Sequence, residues 1–366
     1  MKKQTILHMT SSLRMGGAET VLYNIITHLP EFHHEVLYVH PGPFVHKLRD
    51  VGVQLHQVHG VINSFDPTFF VRVVRLVKKI QPDVIHSLLW LGNCAGILAG
   101  RWLNIPTVSV FHNNVDQNGW LRNAIDGFVL PSADALIAVS DQVRQSVYQQ
   151  HPKLQKKIHI VRNGIDCGAV QRENAYMAKV REQFNIEQDA FVFGSVGRFE
   201  PVKRYDYLIE AFAQVHEKHP NTYLVLVGSG SCGDALKVHA QRCGVANRVI
   251  FIEGQRAIGY YSLFDCFVQS SAKEGVSMAL LEAMSLGLPC VVTNESMDHP
   301  VIMHEKDGIL VPAYDKNALV AAMVFGCLEK KVWLDFAKNA VKTAHVSFGL
   351  NTMVAAYRNF FKRQAM

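Results

Sequence analysis

The chain has no uninterrupted run of about 18 apolar residues, the length a membrane-crossing helix requires. The nearest approach, 84–103, is broken by His86, Ser87, Asn93 and Arg101 and reads as a buried strand followed by a packed helix. It has no C-x-x-C pair. The seven cysteines (Cys94, Cys167, Cys232, Cys243, Cys266, Cys290, Cys327) are odd in number and widely spaced, which argues against a disulfide framework and a structural zinc site and predicts buried, reduced thiols. Short-period repeats and low-complexity tracts are missing too, and charged residues make up only 19% against 49% hydrophobic. Disorder, collagen and coiled coil are thereby poor fits. A secretory leader is equally poorly supported. After Met1-Lys2-Lys3 the apolar pair Ile6-Leu7 ends at His8, and a cytoplasmic chain is expected.

What is present is 366 residues with a formal charge of +6, length enough for about two domains. The whole excess lies in residues 1–180, since 181–366 are balanced. It is too modest for nucleic acid, and no aromatic-basic binding pattern accompanies it. Short β-rich runs alternate with helical patterns throughout, the mark of βαβ units and parallel sheets. Strands are expected at 5–9, 35–39, 53–58, 83–86, 107–111 and 135–139, then again at 191–196, 223–227, 249–252, 266–269, 290–293 and 308–311. Each set suffices for a doubly wound Rossmann-like sheet, with ligands at the carboxyl ends of strands facing a central cleft. The boundary is expected near 165–190. The apolar face of 352–362 (Met353, Val354, Tyr357, Phe360, Phe361) must dock on a domain.

Three loops could carry chemistry. Gly16-Gly17 follows the first strand and opens a helix, where bare backbone and free amides suit phosphate or sugar oxygens; a plain strand-to-helix turn fits equally. Arg198 and Lys203 flank the loop after the strand 191–196, placed to grip a diphosphate unless they are merely solvated. Glu274 follows the strand 266–269, the amides of Gly275, Val276 and Ser277 open a helix toward an anion, and Glu282 lies about two turns in. Two carboxylates could then hold two sets of hydroxyls, with phosphates between them.

A rival lies in Gly228-Ser229-Gly230-Ser231-Cys232-Gly233, a literal G-x-G-x-x-G with Glu253 twenty residues beyond it. It makes an NAD-linked oxidoreductase a formal alternative, although the fingerprint sits on the second strand of its domain and leaves Arg198, Lys203 and both glutamates unused. The early histidines (His33, His34, His40, His46, His56, His59) fall on different elements without ligand spacing and read as surface or strand-edge residues. Residues 69–80 form a basic amphipathic helix with Arg72, Arg75 and Lys79 on one face. A solvated face accounts for it, and contact with an anionic membrane surface is the sharper expectation.

Taken in order, Gly16-Gly17-Ala18-Glu19, Asn163-Gly164-Ile165-Asp166, Gly197-Arg198 with Lys203, and the E-x7-E of Glu274 and Glu282 resemble the family 4 retaining glycosyltransferases of GT-B fold. The resemblance implies an acceptor-binding domain at 1–170, a linker at 171–189, a nucleotide-sugar domain at 190–345, and a C-terminal helix at 346–366 docking back toward the first domain. It further implies that Gly16 and Gly17 approach the donor diphosphate or acceptor, that Arg198 and Lys203 neutralise the diphosphate, that Glu274 binds the donor sugar and that Glu282 binds the ribose. His112 matches the family's active-site histidine, and Gly228 and Gly230 become a turn beside the nucleotide base. No cofactor is implied: the donor is a UDP- or GDP-type sugar and the acceptor a saccharide or lipid-linked glycan, at the inner membrane face. A sugar-nucleotide binding module without turnover would share the fold.

Two departures stand out. Arg204 occupies a position usually held by glycine, adding a third cation beside the phosphates or a surface residue. Asn294 to His299 replaces the usual glycine pair near the sugar. Independently of family, breaking a sugar–phosphate bond builds negative charge on the diphosphate, which preorganised cations and amides stabilise. No Asp-x-Asp is present to hold a metal there, so a metal-independent reaction is expected.

Overall fold

The computed structural model describes residues 3–59, 67–112, 115, 119–168, 174–253, 257–271, 274, 276–294 and 301–364. Gly275 and residues 295–299 of the departing stretch lie outside them. The chain divides into two compact units, 1–164 with 350–366, and 165–349.

In the first unit the described elements are β1 (Thr5–Ser12), α1 (Gly17–His28), β2 (His33–His40), α2 (Phe44–Asp50), β3 (Gln54–Gln57), α3 (Pro67–Ile80), β4 (Val84–Leu88), α4 (Trp90–Leu103), β5 (Thr107–Phe111), α5 (Trp120–Val129), β6 (Ala135–Ala138), α6 (Asp141–Gln150) and β7 (Ile158–Ile160). All strands are parallel, in the order β3-β2-β1-β4-β5-β6-β7. The three-residue β7 escapes sequence reading because it is too short to show a pattern.

α4 explains how a helix lies so close to this sheet. Gly92, Gly96 and Gly100 repeat every four residues and form one stripe. A Cβ at 92 would stand 2.7 Å from Met9 O, and one at 100 would stand 2.2 Å from Thr107 Cγ2. Any larger side chain would push the helix off β1 and β5.

The second unit contains α7 (Asn174–Gln183), β8 (Phe191–Val196), α8 (Tyr205–Lys218), β9 (Thr222–Val227), α9 (Gly233–Arg242), β10 (Val249–Ile252), β11 (Cys266–Gln269), α10 (Met278–Ser285), β12 (Cys290–Asn294), β13 (Ile309–Pro312), α11 (Lys316–Leu328) and α12 (Lys330–Ser347). Its six described strands are parallel in the order β10-β9-β8-β11-β12-β13. Both sheets reverse direction beside their first strand, so each has a switch point, between β1 and β4 and between β8 and β11.

α13 (Leu350–Gln364) returns to the first unit. Met353, Val354, Tyr357 and Phe361 are buried there, and Phe361 stacks edge-on to Phe32, His8 and His86. Arg358 Nε donates to Glu31 Oε1 at 2.5 Å.

Three expectations need correction. The segment read as a linker carries Val180 and Ile186 into the core of the second unit, and the division falls at Gly164/Ile165. Among the cysteines only Cys94, Cys266 and Cys290 are buried; the other four are partly exposed, though all seven are free thiols. Among the early histidines, His34 is buried and bonded to His8, which is bonded in turn to His86.

That row has a definite proton order. His34 Nε2 faces Leu29 O at 2.8 Å and must donate to it. His34 Nδ1 then accepts from His8 Nε2 (2.9 Å), and His8 Nδ1 accepts from His86 Nδ1 (2.8 Å). All three rings are neutral. Burial lowers each pKa, to about 3 for His86. Their spacing along the sequence could not show this, because pairing β2, β1 and β4 brings them together.

Candidate active site

In the second unit, β8 ends at the switch point and runs into the loop 197–200, closed by a 3-10 turn at Pro201–Lys203. Gly197 leaves room for what lies over it: a Cβ there would stand 2.8 Å from Tyr205 Oη and 3.3 Å from Lys203 Cε. The Lys203 ammonium pairs with the Glu274 carboxylate, 71 residues away in sequence, and both side chains are largely withdrawn from solvent, at 15% and 22% exposure. Ser271 Oγ donates to the other Glu274 oxygen at 2.9 Å, and Ser270 Oγ donates to Lys203 O at 2.8 Å. The carboxyl ends of β8 and β11 thus present a cation and a carboxylate held in register by two serines. The Gln269 amide, at the end of β11, is buried and finds no partner among the described residues.

Arg198 is exposed on the same loop. Arg204 points elsewhere. Its backbone is left-handed (φ 51°), the conformation that suits the glycine the resemblance leads one to expect there, and its guanidinium lies 4.2 Å from the Tyr207 ring and 4.7 Å from the Tyr314 ring while donating to Ala313 O at 2.6 Å. Of the two alternatives for Arg204, a third cation beside the phosphates or a surface residue, these contacts favour the second.

Val276 is part of the core and can offer a ligand only its backbone, whereas Ser277 caps α10 with its Oγ accepting from Leu280 N and retains an O–H to donate. Glu282 lies one turn into α10, not two. Its carboxylate accepts the buried Tyr261 hydroxyl at 2.7 Å, and burial followed by the Glu282 charge raises the Tyr261 pKa strongly. Tyr261 went unnoticed in the sequence because it comes from the 3-10 segment Ala257–Leu263, far from the E-x7-E.

Gly228 and Gly230 have a packing duty. A Cβ at 228 would fall 1.9 Å from Gly197 O, and one at 230 would fall 2.4 Å from Phe199 O. Phe199 N donates to Ser229 O and Cys232 N to Phe199 O, both at 2.9 Å. The G-x-G-x-x-G loop is therefore laid backbone to backbone against the loop after β8, which fills the space a dinucleotide phosphate would take, and Glu253 pairs with Lys237 at 2.8 Å.

In the first unit, Gly16 precedes α1 in extended backbone, its carbonyl accepting from Thr20 N (3.1 Å) and Thr20 Oγ1 (3.0 Å), and Gly17 is the first helical residue. His112 directly follows β5. Neither of its ring nitrogens has a hydrogen-bond partner among the described residues, and burial lowers its pKa to about 4. A neutral imidazole whose two nitrogens pair with no described residue is what a ligand-facing histidine offers. Asn163 is buried and Gly164 N reaches Met353 Sδ of α13 at 3.1 Å, so this part of the N-G-I-D run anchors the C-terminal helix. Among the described residues no group of three His, Cys, Asp or Glu side chains could hold a metal ion.

Two family models match the chain: "Glycosyltransferase Family 4" over residues 15–168 and "Glycosyl transferases group 1" over residues 177–342. EpsF of Bacillus subtilis, named as a glycosyltransferase without a stated substrate, is 26% identical over 306 residues, covering 80% of this chain and 79% of its own. An Escherichia coli UDP-Gal:alpha-D-GlcNAc-diphosphoundecaprenol alpha-1,3-galactosyltransferase is 24% identical over 270 residues, covering 71% and 70%. The solved structure of Anabaena HepE with UDP and glucose superposes with a TM-score of 0.88 over 98% of this chain and 100% of that one, at 21% identity. The fold is that of the GT-B enzymes, and the oxidoreductase reading of the glycine loop falls. With matched segments in both units, the chain belongs to the family 4 glycosyltransferases and is an enzyme of that class.

Proposed function

We propose that this enzyme is a retaining, metal-independent hexosyltransferase that moves a sugar from a UDP- or GDP-type donor to a saccharide or lipid-linked acceptor in surface polysaccharide assembly. The observation that carries this is the Lys203–Glu274 pair at the β8/β11 switch point, a cation suited to a diphosphate beside a carboxylate suited to sugar hydroxyls. Arg198 adds a second cation, Glu282 held by Tyr261 takes the ribose, and the backbone at Gly275 to Ser277 meets the phosphates. Gly16, Gly17 and His112 serve from the first unit. The E. coli relative's name, with a UDP-sugar donor and a diphosphoundecaprenol acceptor, supports the donor and acceptor classes.

In this mechanism the bond between the anomeric carbon and the diphosphate oxygen breaks, with its electron pair passing to the diphosphate. Lys203 and Arg198 stabilise that charge in place of a metal. The acceptor hydroxyl attacks from the same face, and its proton passes to the departing phosphate oxygen. Neutral His112 lies along the transferred sugar and accepts or donates a hydrogen bond without adding charge. Activity therefore survives EDTA. Titration with UDP and GDP, followed by NMR of the anomeric centre in the product, tests the reading; inverted product or a turnover that Mn²⁺ restores after chelation would contradict it.

The basic excess of the first unit, including Arg72, Arg75 and Lys79 of α3, supports peripheral contact with an anionic bilayer. No helix among the described residues is long and apolar enough to cross one.

A further inference from the structure

The row His34–His8–His86 ends on an unmatched atom. Since His34 donates to Leu29 O and each ring along the row donates toward it, His86 Nδ1 carries the hydrogen and His86 Nε2 can only accept. No described group donates to it, although His86 is fully buried. Two further side chains of the same unit hold buried atoms that are equally unmatched: the Tyr357 hydroxyl, on a residue 1% exposed, and both ring nitrogens of His112. Buried donors and acceptors are costly to leave unpaired, so three such side chains near one another point to a shared partnership.

All three lie on one face of the sheet. His86 stands opposite Val108 across β4 and β5, and the alternation carried one step past the end of β5 puts position 112 on the same face as 108 and 110. Tyr357 packs on His86 from α13, with ring centroids 5.4 Å apart and planes at 77°. α13 runs against the strands: Met353 meets Gly164 N, beyond the carboxyl end of β7, whereas Phe361 meets Phe32, ahead of β2. Long side chains of a helix lean toward its amino end, so the Tyr357 hydroxyl leans toward the carboxyl edge of the sheet, where His112 follows β5. The two imidazoles are close enough that a charge on His112 opposes one on His86.

We infer that Tyr357 is a positioning residue that joins His112 to the row: its hydroxyl donates to His86 Nε2, directly or through one water, and accepts from the facing N–H of His112. The hydroxyl has a single hydrogen and His86 Nε2 can only accept, so the polarity set at Leu29 O passes along the whole chain of groups. His112 is thereby held in one tautomer, with its outward nitrogen an acceptor. The inference rests on the proposed placement of His112 beside the transferred sugar and sharpens it: the ring takes a hydrogen bond from a sugar hydroxyl and gives none. Each donor in such a chain polarises the next, which strengthens the bonds along it.

The test is long-range proton–nitrogen NMR of the full chain with nitrogen-15 in its histidines, at neutral pH, the His112 signals being assigned by their loss in His112→Gln. The unsubstituted protein shows His112 as one neutral tautomer, its N–H proton in NOE contact with the Tyr357 ring. Tyr357→Phe keeps the packing of α13 and retains the melting temperature, while His112 becomes a mixture of tautomers. In that variant kcat falls about tenfold with KM for the donor little changed, the worth of one misdirected hydrogen bond. Mixed tautomers in the unsubstituted protein, an N–H on the nitrogen away from Tyr357, or a tautomer unmoved by Tyr357→Phe each overturns the inference. A fixed tautomer that Tyr357→Phe releases, in a protein whose turnover is indifferent to His112→Gln, upholds the chain of bonds and strikes only the placement of His112 beside the sugar.

Discussion

At the residue scale, Lys203 and Glu274 neutralise one another in the unliganded protein. On the proposed reading, a diphosphate competes with Glu274 for the ammonium. Glu274→Gln should therefore tighten UDP or GDP binding several-fold in calorimetry while turnover of the intact donor collapses, because the carboxylate proposed to bind the sugar hydroxyls is gone. Unchanged or weaker nucleotide affinity would show that Lys203 is not the diphosphate ligand. Arg204 gives the opposite expectation. Its two ring contacts are worth ~0.5–1 kcal/mol each and its bond to Ala313 O about 1.5 kcal/mol, against about 1–2 kcal/mol for its left-handed backbone. Arg204→Gly should lower stability by roughly 1 kcal/mol by those values and leave nucleotide affinity unaltered; a tenfold loss of affinity would place the guanidinium on the phosphates after all.

At the element scale, the glycine stripe of α4 sets how closely helix meets sheet. Gly100→Val would bring a branched side chain against Thr107 and Ile105, where a bare Cβ is already too close. A loss at the upper end of the range for overpacked cores, about 3 kcal/mol, is expected, readable as a lower denaturation midpoint; a midpoint within error of the parent would mean the helix can shift freely. Such features mark the limit of sequence reading. Strand positions were legible because buried parallel strands are short apolar runs, and the loops after β8 and β11 because glycine and charge interrupt those runs. Partners supplied by another strand or turn were not legible. Tyr261 on Glu282, Ser270 on the Lys203 carbonyl and the His34–His8–His86 row each depend on which strands become neighbours. The glycine loop at 228–233 misled for a related reason, since a fingerprint cannot show that Phe199 already lies in its cradle.

At the scale of the whole molecule, the buried imidazoles make acid the vulnerable direction. His8, His34, His86 and His112 stay neutral in the fold, with pKa values below 6.5, whereas the unfolded chain protonates them near 6.5. Below that pH the unfolded state binds more protons, so stability is complete above pH 6.5 and falls as the pH drops. Each fully buried ring contributes ~1.4 kcal/mol per pH unit until its own folded pKa is reached. Hydrogen exchange at pH 5 against pH 7 should show α13 and β1 losing protection before α8 and β9, because Tyr357 and Phe361 pack directly on His86. Equal protection loss in both units would remove the histidines as the cause.

The path of the chain has a consequence for dissecting the enzyme. The second unit is one uninterrupted segment spliced into the other, and its two ends are adjacent: Ile165 N donates to Phe348 O at 2.8 Å and Ile165 bridges to Gly349. Cutting after Gly349 would not release a tail; it would strip the first unit of the helix covering its histidine row. The separable piece is the insert, and the host is recovered by splicing Gly164 to Leu350.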